Sequence, residues 1–260
     1  MSEVSFEYLQ HLVTVPVTVD GNETRFVLDS GIGLTIVREE IAEATRLERT
    51  SASFTGRRMS GQAVTLPLAE TTVAFAGAMV EQHDVAILDM RSFPDVFSEI
   101  GGFLSLAFFR EQPFTIDYGR RAVALGASEG LSVPVMVERD GPALTVFMPL
   151  TIPGGRSISV EVDMGSDELI LDGRFATETG TPLDGDSVRR VEGTDETGHA
   201  YTRTFTRLSG RIHPTAAPGL AQIDPDVMFQ HIIHDGLLGD AFLRRHVVTF
   251  DVAEERMVFG

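Results

Sequence analysis

The feature that most constrains this chain is that it repeats itself. Residues 102–126 align without a gap to residues 236–260, an offset of 134, and eight of the 25 positions are identical. Among the identities are Gly102 and Gly236, Thr115 and Thr249, Asp117 and Asp251, and Gly126 and Gly260. At the same offset Phe26-Val27-Leu28-Asp29-Ser30-Gly31 meets Val160-Glu161-Val162-Asp163-Met164-Gly165. Just before those aspartates, the strand-turn-strand pattern of residues 17–28 matches residues 150–162 with one extra residue at the turn, where insertions are best tolerated. Distant blocks sharing one register imply two copies of one folding unit. The small polar run Ala127-Ser128-Glu129-Gly130 suits a short linker, so units are expected over 1–128 and 129–260.

Each copy has the composition of sheets. Valine, threonine, isoleucine and phenylalanine recur in short runs broken by Asp-Gly, Gly-Gly or Pro-Gly signals, as in Val17-Thr18-Val19-Asp20-Gly21 and Thr151-Ile152-Pro153-Gly154-Gly155. Helical periodicity is confined to short pieces over 38–46, 105–110, 174–179 and 240–245. The expected class is all-β, with two pseudo-symmetric lobes and short helices. Acidic residues outnumber basic ones 38 to 21, the formal charge is −17, and no basic cluster is present to hold a phosphate backbone. Nucleic acid is therefore not expected as a partner. No window reaches the roughly 18 apolar residues of a membrane span, and the first residues lack the basic and apolar regions of a secretory signal, so no membrane association is expected. The absence of cysteine removes disulfide and thiolate chemistry and fits a reducing, cytoplasmic compartment.

The chemistry is concentrated in the repeated turns. Each copy sets an aspartate at the end of an apolar strand and a glycine two residues later, Asp29-Ser30-Gly31 and Asp163-Met164-Gly165. A pseudo-twofold axis between the copies would bring these turns together. Two carboxyls about 3 Å apart cannot both ionise cheaply, so they share a proton: one acts as base on a water while the other, as acid, polarises the carbonyl under attack. Glycine lets the backbone approach and offer N–H groups to the carboxyls.

Leu28-Asp29-Ser30-Gly31 resembles the hydrophobic-Asp-Thr/Ser-Gly signature of the pepsin and retropepsin superfamily of aspartic peptidases. Leu237-Leu238-Gly239 before Asp240-Ala241-Phe242-Leu243 is similar to the hydrophobic-hydrophobic-Gly element of the later half of each family lobe, and Phe103-Leu104-Ser105 is its weaker copy. The resemblance implies a bilobal fold, Asp29 and Asp163 as the catalytic pair, a peptide or protein substrate bound extended between the lobes, and no metal or organic cofactor. It implies a β-hairpin flap as well, with candidate tips Met59-Ser60-Gly61 and Glu196-Thr197-Gly198. In the family, the residue after each aspartate is a hydroxyl that ties the two turns together. Ser30 supplies it and Met164 does not. A second hydroxyl after the glycine supports its aspartate, and here Ser166 supplies it whereas Ile32 does not. The rival expectation is a catalytically silent protein of this fold that holds an extended peptide or a partner protein in its cleft, and Met164 is the residue that favours it.

Three further features carry less. His231-Ile232-Ile233-His234 lacks the glutamate and third ligand of a zinc site and reads as a loop before Gly236. Asp117 and Asp251 lie in Thr-hydrophobic-Asp strands and read as structural. Gly31-Ile32-Gly33 lacks the third glycine and the βαβ setting of a nucleotide loop.

Overall fold

A computed structural model of the chain describes residues 3–194 and 200–260. Among the described residues the strands form three sheets. In the first, the hairpin Leu12–Val19 and Asn22–Leu28 is followed by Ile100–Leu104, Ile36–Arg38, Ala78–Leu88, Ala63–Phe75 and Arg49–Arg57. The second repeats this order with Ala143–Thr151, Ser157–Val162, Gly236–Leu238, Leu169–Asp172, Asp226–Gln230, Ala200–Arg207 and Arg189–Thr194. The parallel pairings repeat too. Asn22–Leu28 runs parallel to Ile100–Leu104 as Ser157–Val162 does to Gly236–Leu238, with Val27 opposite Phe103 and Glu161 opposite Leu237. The identical glycines of the repeat follow from this crossing, because a Cβ on Gly102 would sit 2.0 Å from the Ile36 carbonyl and one on Gly236 2.5 Å from that of Ile170.

The third sheet joins the two halves of the chain. Its order is Glu3–Ser5, Ala122–Leu125, Phe114–Asp117, Val247–Asp251, Arg256–Phe259 and Leu131–Pro134. At its centre Thr115 pairs with Thr249, its own counterpart in the repeat, and the two hydroxyls lie 2.7 Å apart. A residue faces its counterpart across an antiparallel pair where a twofold axis passes between them. Ser128, in the expected linker, donates its N–H to the same Thr249 hydroxyl at 3.0 Å.

Alternation along the strands supplies the core. Val13, Val15, Val17 and Val19 point inward from one strand, Val146, Met148 and Leu150 from its counterpart, and Phe114 stacks on Phe250 at 5.1 Å across the joining sheet. The helical pieces are short, as expected: α-helices over Glu39–Thr45, Phe175–Glu178 and Asp240–Leu243, and a 3₁₀ turn over Leu106–Phe109. No helix among the described residues is long and apolar enough to cross a membrane.

The weaker copy of the later element has a local reason. A side chain at Gly239 would strike the carbonyls of Glu168, Ser166 and Asp167 within 2.8 Å. The equivalent Ser105 instead accepts the N–H of Ala107 as a cap and lies 3.2 Å from the Thr35 hydroxyl, which in turn meets His83 Nε2 at 3.0 Å.

Candidate active site

Each aspartate stands where its strand ends, and the backbone folds back on it. Gly31 N–H donates to Asp29 Oδ1 at 2.8 Å, and Gly165 N–H donates to Asp163 Oδ1 at the same distance. Each glycine also faces the other turn's carboxyl. A Cβ on Gly31 would overlap Asp163 Oδ1 at 2.1 Å, and one on Gly165 would meet Asp29 Oδ2 at 2.8 Å. Any side chain at either glycine would push the carboxyls apart, so the sequence can bring them together only with glycine at both places. Asp29 and Asp163 are buried, 7% and 8% exposed, as one pair.

Burial, then the charge of Asp163, pushes the Asp29 carboxyl up to about 7, against the pull of N–H groups from Gly31, Gly165 and Ile32. Asp163 is also raised by burial, but the Ser166 hydroxyl opposes this first, followed by the N–H groups of Gly165 and Ser166 and by His11. The Ser166 bond is short, 2.6 Å from Oγ to Asp163 Oδ2. The Ser166 hydroxyl, which has no counterpart at Ile32, favours the ionised form of Asp163.

The tie between the turns is one-sided. Ser30, fully buried, donates its hydroxyl to the Val162 carbonyl at 2.7 Å and accepts the Met164 N–H at 3.0 Å. Met164 returns no such bond. Its thioether is 1% exposed in the main apolar core. Two braces that the sequence did not announce also cross between the halves: His11 Nε2 lies 3.1 Å from the Gly165 carbonyl, and Leu144 N–H donates to the Gly33 carbonyl at 2.8 Å.

The candidate tip Met59-Ser60-Gly61 caps the hairpin of Arg49–Arg57 and Ala63–Phe75, and it rests on the second half of the chain. Ile233 N–H donates to the Met59 carbonyl at 2.9 Å, and Met59 packs against the cluster of Ile170, Met228, Ile232 and Leu237. The other candidate tip, Glu196-Thr197-Gly198, lies outside the described residues. The loop of His231-Ile232-Ile233-His234 is therefore the surface under the first tip. Its histidines face carboxyls: His231 Nδ1 lies 3.3 Å from Asp172 Oδ2, and His234 Nε2 lies 3.5 Å from Glu161 Oε2.

Glu161 is the other residue that sequence reading passed over. It is 7% exposed, and burial, then the charges of Asp163, Asp29 and Glu138, pushes its carboxyl up to about 9. The signal that could have found it is the repeat, which sets Glu161 against Val27 at a position buried in both copies. Asp117 and Asp251 do structural work, accepting the N–H groups of Arg120 and Glu254 in their turns.

Residues 15–102, which carry Asp29 and the hairpin, match the family model described as aspartyl protease. Over that stretch, about a third of the chain, the protein is similar to retropepsin-like aspartyl proteases. No curated protein matches the sequence. The aspartyl protease match ends before the second aspartate, so the part assigned to Asp163 rests on the reciprocal glycine contacts and on the repeat. A protease-type hydrolase is the activity the family carries.

Proposed function

We propose that the chain is an aspartic endopeptidase in which Asp29 and Asp163, one from each of two lobes over 1–128 and 129–260, activate a water against a peptide bond. The observation that carries this reading is the reciprocal contact of each glycine with the other turn's carboxyl. Ionised Asp163, supported by Ser166, takes a proton from the water as its oxygen bonds to the peptide carbon. Protonated Asp29 donates to the carbonyl oxygen, and the gem-diol forms. In breakdown Asp163 gives its proton to the amide nitrogen while Asp29 takes one from a gem-diol hydroxyl, the C–N bond breaks, and the dyad is left with the single proton it started with.

The hairpin tip at Met59-Ser60-Gly61 acts as the flap, holding an extended peptide against the dyad and excluding water from it. Ser30, Gly31, Gly165 and Ser166 hold the carboxyls in place. The silent, peptide-binding reading is favoured by Met164 alone, and the bond from Met164 N–H to Ser30 weighs against it, because the turns are tied even without a second hydroxyl.

The test is Asp29→Asn and Asp163→Asn, made singly. Each is expected to remove nearly all cleavage of a peptide library while circular dichroism stays that of the parent, since one shared proton is a joint property. Near-parental turnover in either variant rejects the dyad. A parent that binds an extended peptide but neither cleaves it nor binds a statine-type peptide, which needs a competent dyad, points to the silent reading.

A further inference from the structure

One buried acid beside the dyad has no part in this chemistry. Glu161 precedes Asp163 by two residues on Ser157–Val162, so it leaves the strand on the face opposite the core residues Val160 and Val162. The charges of both Asp163 and Asp29 act on it, as does that of Glu138, and no arginine is among the groups that do. Its side chain is 9% exposed, and His234 is the one basic group within ion-pair distance among the described residues, at 3.5 Å. His234 itself is at the rim, 28% exposed, edge-on to Phe147 at 5.0 Å and next to Ile233, which holds the hairpin tip. Glu161 therefore lies between the dyad and the seat of the hairpin.

The repeat shows what this wall would be without the acid. At the same offset the first half has Val27 and Ile100, both buried in one apolar cluster with Leu12 and Met90. An apolar pair in one copy is an acid and an imidazole in the other. A buried carboxyl lacking a strong cation is costly by itself, and a bound cation that supplies charge-assisted hydrogen bonds removes that cost. An aliphatic side chain at the same place leaves the carboxyl as it was. We propose that Glu161 is a specificity-determining residue that selects substrates with lysine or arginine beside the scissile bond, the substrate's cation displacing His234. The inference rests on the aspartic peptidase reading above.

The experiment compares, by calorimetry, two statine-type peptides that carry either lysine or norleucine at both residues flanking the statine. The parent protein is expected to bind the lysyl peptide about tenfold more tightly. Glu161→Val with His234→Ile, which rebuilds the pair found at Val27 and Ile100, is expected to prefer the norleucyl peptide. Glu161→Gln, which keeps the shape and cannot ionise toward a bound cation, is expected to lose the lysine preference, and it decides the matter if the double variant does not fold. Equal affinities in the parent, or a lysine preference that survives these variants, overturn the inference and leave the dyad standing. Failure of both peptides to bind the parent overturns the dyad reading and the inference with it.

Discussion

Ser166 and Ile32 hold equivalent places after their glycines, and only the serine donates to its aspartate. A hydroxyl bonded to a carboxylate stabilises the ionised form, so Ser166→Ala is expected to raise the lower apparent pKa of the kcat/KM profile by about one unit and draw in the acid limb. An unchanged acid limb would count against the bias toward charge on Asp163. Ile32→Ser should narrow the difference between the two carboxyls, read by the same profile. At Met164 two effects compete. Threonine could return one or two hydrogen bonds of about 1 kcal/mol each, whereas truncating a fully buried methionine costs about 2–3 kcal/mol. Met164→Thr is therefore expected to lower stability by about 1 kcal/mol in denaturant titration, and a gain would show that packing around the thioether is loose.

At the scale of elements, the strands and the dyad turns were legible because both are local: alternation fixes a strand, and Asp-X-Gly fixes a turn. The helical pieces and the hairpin carrying Met59 could be read for the same reason. His11 and Glu161 could not, since nothing near them in sequence says that one reaches Gly165, 154 residues away, or that the other faces two carboxyls. The seat of the hairpin was equally hidden, because His231-Ile232-Ile233-His234 lies far along the chain from Met59. This contact makes a prediction. Gly61 has φ +87° and leaves room for the Ile233 side chain, whose Cγ2 would be 2.9 Å from an added Cβ. Gly61→Ala should strain the turn by about 1 kcal/mol and lift the tip from its seat, raising KM more than it lowers kcat in steady-state cleavage. A variant with parental KM would show that the tip does not engage substrate in this position.

At the scale of the whole molecule, buried titratable groups set how stability varies with pH. Asp29 and Glu161 have folded-state values raised to about 7 and about 9, so their contributions are lost as pH rises through those values. His83, buried and lowered to about 4, works in the opposite sense between there and 6.5, where stability rises with pH. In mildly acidic solution the carboxyls, Asp240 with a value raised to about 6 among them, outweigh the His83 imidazole so that stability falls with pH, and Glu161 carries the fall on from pH 7 toward pH 9. Unfolding free energy should fall across that interval by about 1.4 kcal/mol per pH unit for one proton, seen as a falling melting temperature, and Glu161→Gln should flatten it. A parental curve already flat there would mean that Glu161 is ionised in the folded state. The tie at Ser30 has a consequence of another kind. In an assembly of two identical chains every substitution is made twice, and the two turns change together. Here a single hydroxyl carries both bonds while its counterpart is a thioether, so mutation can reach one side of the dyad without touching the other. Each carboxyl is a separately heritable trait, and on the peptidase reading proposed above selection can tune the acid and the base independently.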